Sequence, residues 1–404
     1  MGRCNFRQRG CAVRHDPAGW WGKQRDSVQA HSATTAGAAW THSVLYTFQP
    51  TDFLNTNYGD GEFPFGGLIM DAASGALYGM TNQGGIGGVG GRGTVYKLSP
   101  STTADAAWTE EILHAFNDPD GINPYGSLIT DASGALYGTT SSGGSSGAGT
   151  IFKLTPPATA SGEWSYTVLY NFSGGSDGGQ PFPEGADGRL IMDASGALYG
   201  TTYLGGKFGN PTPCHVGCGT VFKLSPPTTV GGAWTYNVLY SFTGGSDGGD
   251  PLVGVIMDAS GALYGSTELG GNGSNCSGSF EGTGGCGVIF RLTPPVTASG
   301  AWTETVLYSF TGGTDGGTPF GSLFSDTSGA LYGTTTEGGI GSGVSGLGTV
   351  FKLAAFAGVP GQPDCIGTSI AALVHQYGGL AAAAAALGYP SVQALQNAVA
   401  SYCG

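Results

Sequence analysis

The sequence predicts an all-β fold: a five-bladed β-propeller of four-stranded blades, closed by the N-terminal strand and followed by a small α-helical C-terminal module. Three observations predict it. First, the hexapeptide Ser-Gly-Ala-Leu-Tyr-Gly occurs five times, with its leucine at Leu77, Leu136, Leu198, Leu263 and Leu331. A long repeat of this kind means one supersecondary unit used again and again. Second, each period holds four short runs rich in Val, Ile, Tyr, Phe, Thr and Leu, bounded by Gly, Pro, Asp or Ser. That is the signature of short antiparallel strands, and four of them make a propeller blade. Third, the regular part opens at Trp40–Phe48 with a strand of the fourth type and ends at Gly348–Leu353 with one of the third type. Pairing these two would close a ring and cover both edges; an open stack of the same units is the alternative.

The fourth copy shows the unit in order. Gly254–Asp258 is a first strand, Ala259-Ser260-Gly261 a turn, and Ala262–Thr267 a second strand. Asp suits the turn because its carboxylate can accept backbone N–H groups, and Gly because it can take positive φ. A Gly-rich loop, a third strand at Gly287–Leu292, a Thr-Pro-Pro loop and a fourth strand at Trp302–Phe310 complete it. Copy one carries an extra alanine at the turn, Ala72-Ala73, read as a small bulge. The 78 Gly in 404 residues therefore read as turn chemistry rather than disorder, since hydrophobic residues still reach 40%.

Residues 1–39 show no periodicity and read as a disordered or spurious leader; 40–353 are the propeller, 354–363 a linker, and 364–404 a disulfide-tied helical tail. In the tail, Ile370, Leu373, Val374 and Tyr377 fall on one helical face, Gly378 stops that helix, and Ser391 caps another. The tail reads either as a capping or docking module or as an anchor.

Net charge is −13, and charged residues are only 10% of the chain. Five of the eight basic residues after position 39 are one repeated mid-strand position, Lys97, Lys153, Lys223, Arg291 and Lys352, expected to pair with a repeated Asp such as Asp131 or Asp193. No basic patch remains for phosphates, which excludes nucleic acid as a partner. No apolar run approaches the roughly 20 residues of a membrane-spanning helix. The eight cysteines fall in close pairs inside loops, Cys214/Cys218 and Cys276/Cys286 among them, and at the two ends of the tail, Cys365 and Cys403, and point to disulfides and an oxidising compartment. Residues 1–25 contain no recognisable signal peptide.

The combination Leu-Tyr-Gly-Thr-Thr, Gly-Thr-Val-Phe-Lys-Leu, Val-Leu-Tyr-Ser-Phe and Gly-Gly-Ser-Asp-Gly resembles the GloVer (Gloeobacter/Verrucomicrobia) tandem repeat of choice-of-anchor bacterial surface proteins, over roughly residues 40–353. The resemblance implies repeat architecture and an extracellular or cell-surface setting, and it supplies no catalytic residues.

No nucleophile elbow, P-loop or zincin motif is present. The variable positions that precede each Gly-Gly are the candidate ligand-binding register: Asn82 and Gln83, Ser141 and Ser142, Tyr203, Glu268, and Glu337. Glu268 and Glu337 are also candidates for a glycosidase carboxylate pair. The repeated Asp-Gly loops, best at Asp118, Asp120, Asp247 and Asp250, read first as turns and second as calcium sites; no other cofactor is expected. Cys214-His215-Val216-Gly217-Cys218 reads as a loop disulfide rather than a zinc site, and the repeated tryptophans as blade-to-blade packing. The leading function is a non-catalytic extracellular recognition scaffold whose partner is a polysaccharide or a cell-envelope component. The alternative is a propeller-type polysaccharide hydrolase or lyase.

Overall fold

The computed structural model describes residues 11–15, 26–31, 41–49, 59–85, 92–101, 107–159, 162–182, 188–208, 214, 216–229, 231–274, 276, 284–297, 300–327, 329–340, 346–353, 363–386 and 389–403. The expected linker, 354–362 above all, lies outside them, as does His215. The repeats form five four-stranded antiparallel sheets. The first is β4 (Ile69–Met70), β5 (Leu77–Thr81), β6 (Thr94–Ser99) and β7 (Thr109–Ala115). The second is β8 (Ile129–Thr130) to β11 (Ser165–Asn171), the third β12 (Ile191–Met192) to β15 (Thr235–Ser241), and the fourth β16 (Ile256–Met257) to β19 (Thr303–Ser309). In the fifth, β22 (Leu331–Glu337) pairs with β20 (Gly317–Pro319), β21 (Phe324–Ser325) and β23 (Thr349–Leu353).

The N-terminal expectation needs correcting. β3 (Thr41–Thr47) pairs with β2 (Asp26–His31), which pairs with β1 (Cys11–His15), so the segment read as a spurious leader contributes two strands. The strand assigned to ring closure is thus bonded to β2, while β23 has β22 as its partner. The β2–β3 pair carries a register shift, between Ser27 and Val28, like the one between third and fourth strands of the first four repeats, as between Val95 and Tyr96.

The chain divides into two compact units. One comprises residues 1–210, 216–241 and 251–255, the other 211–215, 242–250 and 256–404. In the first unit, neighbouring sheets meet through third-strand residues: Val95 packs with Leu128, Leu136, Phe152 and Leu154 of the next repeat, and Ile151 with Leu190, Leu198 and Phe222. Trp164 and Trp234 sit edge-on against Tyr78 and Tyr137 of the preceding repeats, the packing role expected of them. Glycines let neighbouring repeats touch: a Cβ at Gly66 would lie 2.3 Å from the Gly126 carbonyl oxygen, and one at Gly126 2.1 Å from that of Gly188. In the second unit, Ile289 packs with Leu323, Leu331 and Phe351.

The hexapeptide explains itself as a hairpin clamp. Asp131 Oδ1 accepts from Ser133 N, Ser133 Oγ and Ala135 N, and its Oδ2 accepts from the Tyr137 hydroxyl at 2.9 Å. Asp193 and Asp258 repeat this, and Asp326 keeps the bonds from Ala330 N and the Tyr332 hydroxyl. Burial alone would raise these carboxyl pKa values, but the donors hold Asp131, Asp193 and Asp258 below the usual range. The repeated cation lies over the ring of the cross-strand tyrosine, with Lys153 Nζ 5.2 Å from the Tyr137 centroid and Lys223 Nζ 5.1 Å from that of Tyr199. Lys223 also reaches Asp193 at 3.8 Å, as expected, whereas Lys97 pairs with Glu111 at 3.2 Å.

The tail is three helices, α1 (Cys365–Tyr377), α2 (Leu380–Ala386) and α3 (Val392–Cys403), around buried Leu373, Ala383, Ala384, Leu395 and Val399. Gly378 takes the left-handed C-terminal position with φ of 73°, and Ser391 Oγ accepts from Ala394 N at 3.1 Å. The Tyr377 hydroxyl donates to Leu307 O of β19 at 3.3 Å, docking the tail on the fourth sheet. Cys365 and Cys403 are bridged across a sequence separation of 38 residues. On the loop-entropy model this bridge stabilises the tail by about 4 kcal/mol. Cys403→Ser should therefore make residues 363–403 the first site of limited proteolysis, with the sheets still resistant; equal resistance of variant and parent would refute this.

Candidate functional site

The strongest departure from regular backbone recurs once per repeat. Phe63, Asn123, Gln180, Asp250 and Thr318, one per repeat, have φ between 48° and 59°, as does Phe182 outside this register. Each precedes a proline: Pro64, Pro124, Pro181, Pro251 and Pro319. Non-glycine residues rarely take this region, and a following proline favours extended backbone instead. The conformation costs on the order of 1 kcal/mol or more per copy. It is held by a socket: a Cβ on Gly93 would lie 2.7 Å from Pro124 Cδ, on Gly149 2.9 Å from Pro181, on Gly219 2.6 Å from Pro251, and on Gly287 2.6 Å from Pro319.

Each of these residues is tied to the variable register identified in the sequence. Asn82 N donates to Phe63 O at 3.0 Å, Ser141 N to Asn123 O at 3.1 Å, Tyr203 N to Gln180 O at 3.2 Å and Glu268 N to Asp250 O at 3.1 Å. In the fifth copy the Thr336 hydroxyl donates to Thr318 O at 3.1 Å. A constant skeleton thus carries two variable side chains per repeat. The register is recessed rather than displayed: Asn82 and Ser141 are buried, while Gln83, Ser142, Tyr203, Glu268 and Glu337 are half-buried. Beside it in the first repeats lies a strip of half-buried aromatics, with Phe63 stacked on Phe65 at 6.0 Å and Phe65 5.7 Å from Tyr125.

The sequence reasoning missed the five left-handed residues. Their signal was nonetheless present, because each is the fourth residue of a pentapeptide Asp-Gly-x-x-Pro: 60–64, 120–124, 177–181, 247–251 and 315–319.

The acidic candidates separate into two groups. Asp118 pairs with Arg92 at 2.6 Å, and Asp120 accepts from Asn117 Nδ2 at 2.6 Å and faces His114 Nε2 at 3.2 Å. Asp247 accepts from Thr243 N at 2.9 Å, the turn bond that Asp177 and Asp315 also make. These are turn aspartates. Asp250 differs: it is 5% exposed, and its Oδ1 has no hydrogen-bond partner among the described residues. Burial first, and the Glu268 charge second, push its pKa up to about 7. Glu268 is likewise pushed up to about 7, by burial and then by Glu337. Of the two glutamates singled out as a carboxylate pair, Glu337 thus acts on Glu268, and Glu268 acts on Asp250, an unforeseen third member. Cys214 and Cys218 are disulfide-bonded, and Cys214 Sγ lies within 4.8 Å of an Asp250 carboxylate oxygen. Cys276 is bridged to Cys286, with Cα atoms 5.3 Å apart.

A surface groove of about 420 Å³ lies elsewhere, lined by Asp131, Tyr137, Lys153 and Trp234 among others. Its charged groups belong to the hairpin clamp of every repeat, so it carries nothing particular to one position.

The model of the Gloeobacter/Verrucomicrobia repeat matches residues 27–207 and, overlapping, 72–278. The chain belongs to the Gloeobacter/Verrucomicrobia repeat family. The match starts at residue 27, within β2. Among curated proteins none matches the chain. Solved structures similar to this repeat protein include a Trichoderma reesei carbohydrate-active enzyme of family AA12, at 11% identity over 84% of this chain and 91% of that one, with a TM-score of 0.40. A glucose dehydrogenase is similar at 17% identity over 74% and 86%, with a TM-score of 0.37. An ulvan lyase of polysaccharide lyase family PL25 is similar at 10% identity over 78% of each chain, with a TM-score of 0.39. None of the three bears on what this family member binds.

Proposed function

We propose that this protein is a non-catalytic recognition scaffold of the cell surface or extracellular space that binds a glycan at its variable register. One observation carries the reading: five copies of a strained turn, four of them seated in a glycine socket, each presenting different side chains on the same backbone. Recurrent strain that the fold could avoid is a mark of function, and a rigid frame with variable side chains is how repeat proteins present a binding surface. The aromatic strip at Phe63, Phe65 and Tyr125 suits the apolar face of a sugar ring, with Gln83, Ser142 and Tyr203 offering polar groups to its hydroxyls. The disulfides favour an oxidising compartment.

The test is a glycan array probed with the full-length protein in calcium-free buffer. Selective binding is expected, and Phe63→Ala or Tyr203→Ala should weaken it at least about 10-fold, as loss of a buried aromatic contact does, with the melting temperature unchanged. Silence from folded protein across the array would refute the reading.

The second reading, a polysaccharide hydrolase or lyase, draws on Asp250 and Glu268, whose pKa near 7 suits a general acid. Release of reducing ends or unsaturated products from polysaccharides, abolished in Glu268→Gln, would establish it.

A further inference from the structure

We infer that Asp250 and Glu268, completed by the Thr318 hydroxyl, form a binding site for a divalent cation of calcium's size and hardness. Asp250 and Glu268 are joined by the bond from Glu268 N to Asp250 O at 3.1 Å, next to the antiparallel bridge between Gly249 and Leu269, and the Glu268 charge acts on the Asp250 carboxyl. Like charges held this close repel. The same two positions hold Phe63 with Asn82, Asn123 with Ser141, Gln180 with Tyr203, and Thr318 with Thr336 in the other repeats. The fold therefore has no need of a carboxylate pair here, and the fourth repeat alone carries one.

Two unpartnered oxygens point to what it is for. Asp250 Oδ1 and Thr318 Oγ1 both lack a hydrogen-bond partner among the described residues, although Asp250 is 5% and Thr318 6% exposed. A buried carboxylate oxygen or hydroxyl left unpaired is costly, so such atoms ordinarily have a ligand. Thr318 belongs to the next repeat and is seated beside Glu268: a Cβ on Gly287 would lie 2.6 Å from Pro319 Cδ and 2.9 Å from Glu268 O. At the corresponding position Asn123 turns its side chain back to the preceding repeat, where Nδ2 donates to Asn82 O at 3.3 Å. Thr318 holds that position in the repeat that follows Asp250 and Glu268. Two carboxylates and a hydroxyl are hard oxygen donors, and the half-buried side of Glu268 leaves room for water to complete the six to eight oxygens that calcium takes. Thiolate ligation does not compete, because Cys214 is held in a disulfide.

This site uses the same register as the proposed glycan face but needs no glycan, so the two ideas fail separately. Full-length protein stripped with EGTA is titrated with calcium chloride by calorimetry and followed by thermal melting. One calcium per chain is expected, with an upward melting shift of about 4 °C at saturating metal. Asp250→Asn and Glu268→Gln should each weaken binding at least about 30-fold, whereas Asp118→Asn should bind as the parent does. Absence of stoichiometric binding in the parent, or unchanged affinity in either folded carboxylate variant, would overturn the assignment.

Discussion

Replacing Gly126 with alanine is expected to destabilise the first unit by on the order of 4 kcal/mol or more, the range reserved for the most disruptive single changes. The reason is purely steric. Gly126 does not need a left-handed φ, so the substitution strains no backbone angle. Its added Cβ would, however, sit 2.1 Å from the Gly188 carbonyl oxygen. That carbonyl cannot withdraw cheaply, because it accepts Ser127 N at 2.9 Å, within the parallel bridge from Ser127 to Arg189. Moving it separates the second repeat from the third. A control distinguishes this from glycine's general role: Gly147 has φ of 77° and nothing within 4 Å of its Cβ position, so Gly147→Ala should cost only the 1–2 kcal/mol of left-handed backbone. Chemical denaturation of the two variants decides the matter. Similar losses would mean that the neighbouring repeats are not in close contact there.

The repeat, its strand order, the turn aspartate and the packing role of Trp164 were legible because each recurs along the chain and obeys local chemistry, whereas the Tyr137 hydroxyl as the partner of Asp131 was not read. A turn aspartate with Ser two residues on can only be read one way once the copies are aligned. The pairing of β3 was not legible. Asp26–His31 lacks the Thr-Val-Phe-Lys-Leu character of a third strand, and what it shares with one is a bulge register that residue types do not announce. The candidate site was half legible. Variation marked Asn82, Tyr203 and Glu268, but the left-handed turn at Asp250 and Thr318 contradicts the ordinary preference of a residue before proline, so local rules pointed away from it. Burial of Asp250 depends on contacts made far along the chain, and no sequence pattern encodes that.

In calcium-free buffer the protein should be more stable at pH 5 than at pH 8, with a higher melting temperature at the lower pH. Four carboxyls, Glu110, Asp250, Glu268 and Glu304, are pushed up to about 7 in the folded chain, in each case by burial first and by a neighbouring acid second. The neighbours are Asp60 and Glu111 for Glu110, Glu268 for Asp250, Glu337 for Glu268, and Asp247 for Glu304. Unfolded, all four would titrate near 4. Between those values the folded state holds more protons than the unfolded one, so its stability falls as pH rises from about 4 to 7 and then levels off. Largely buried Asp250 contributes on the order of 3 kcal/mol to that loss. Glu268 adds less than the same again, since the pair titrates together, and Glu110 and Glu304, more open to water, add smaller amounts. Glu110 and Glu304 stand opposite Leu98 and Leu292, the register at which Tyr166 stands opposite Leu154 and donates its hydroxyl to Asp120 O at 2.7 Å. A protonated carboxyl can donate there and a carboxylate cannot. The clamp residues Asp131, Asp193 and Asp258 run the other way, with lowered pKa values whose stabilisation is present above about 4 and lost in stronger acid. A stability maximum near pH 4–5 follows. Asp250→Asn should raise the melting temperature at pH 8 and flatten the curve between pH 5 and 8. A flat profile in the parent would show that these carboxyls are well solvated in the folded chain and titrate as they do unfolded.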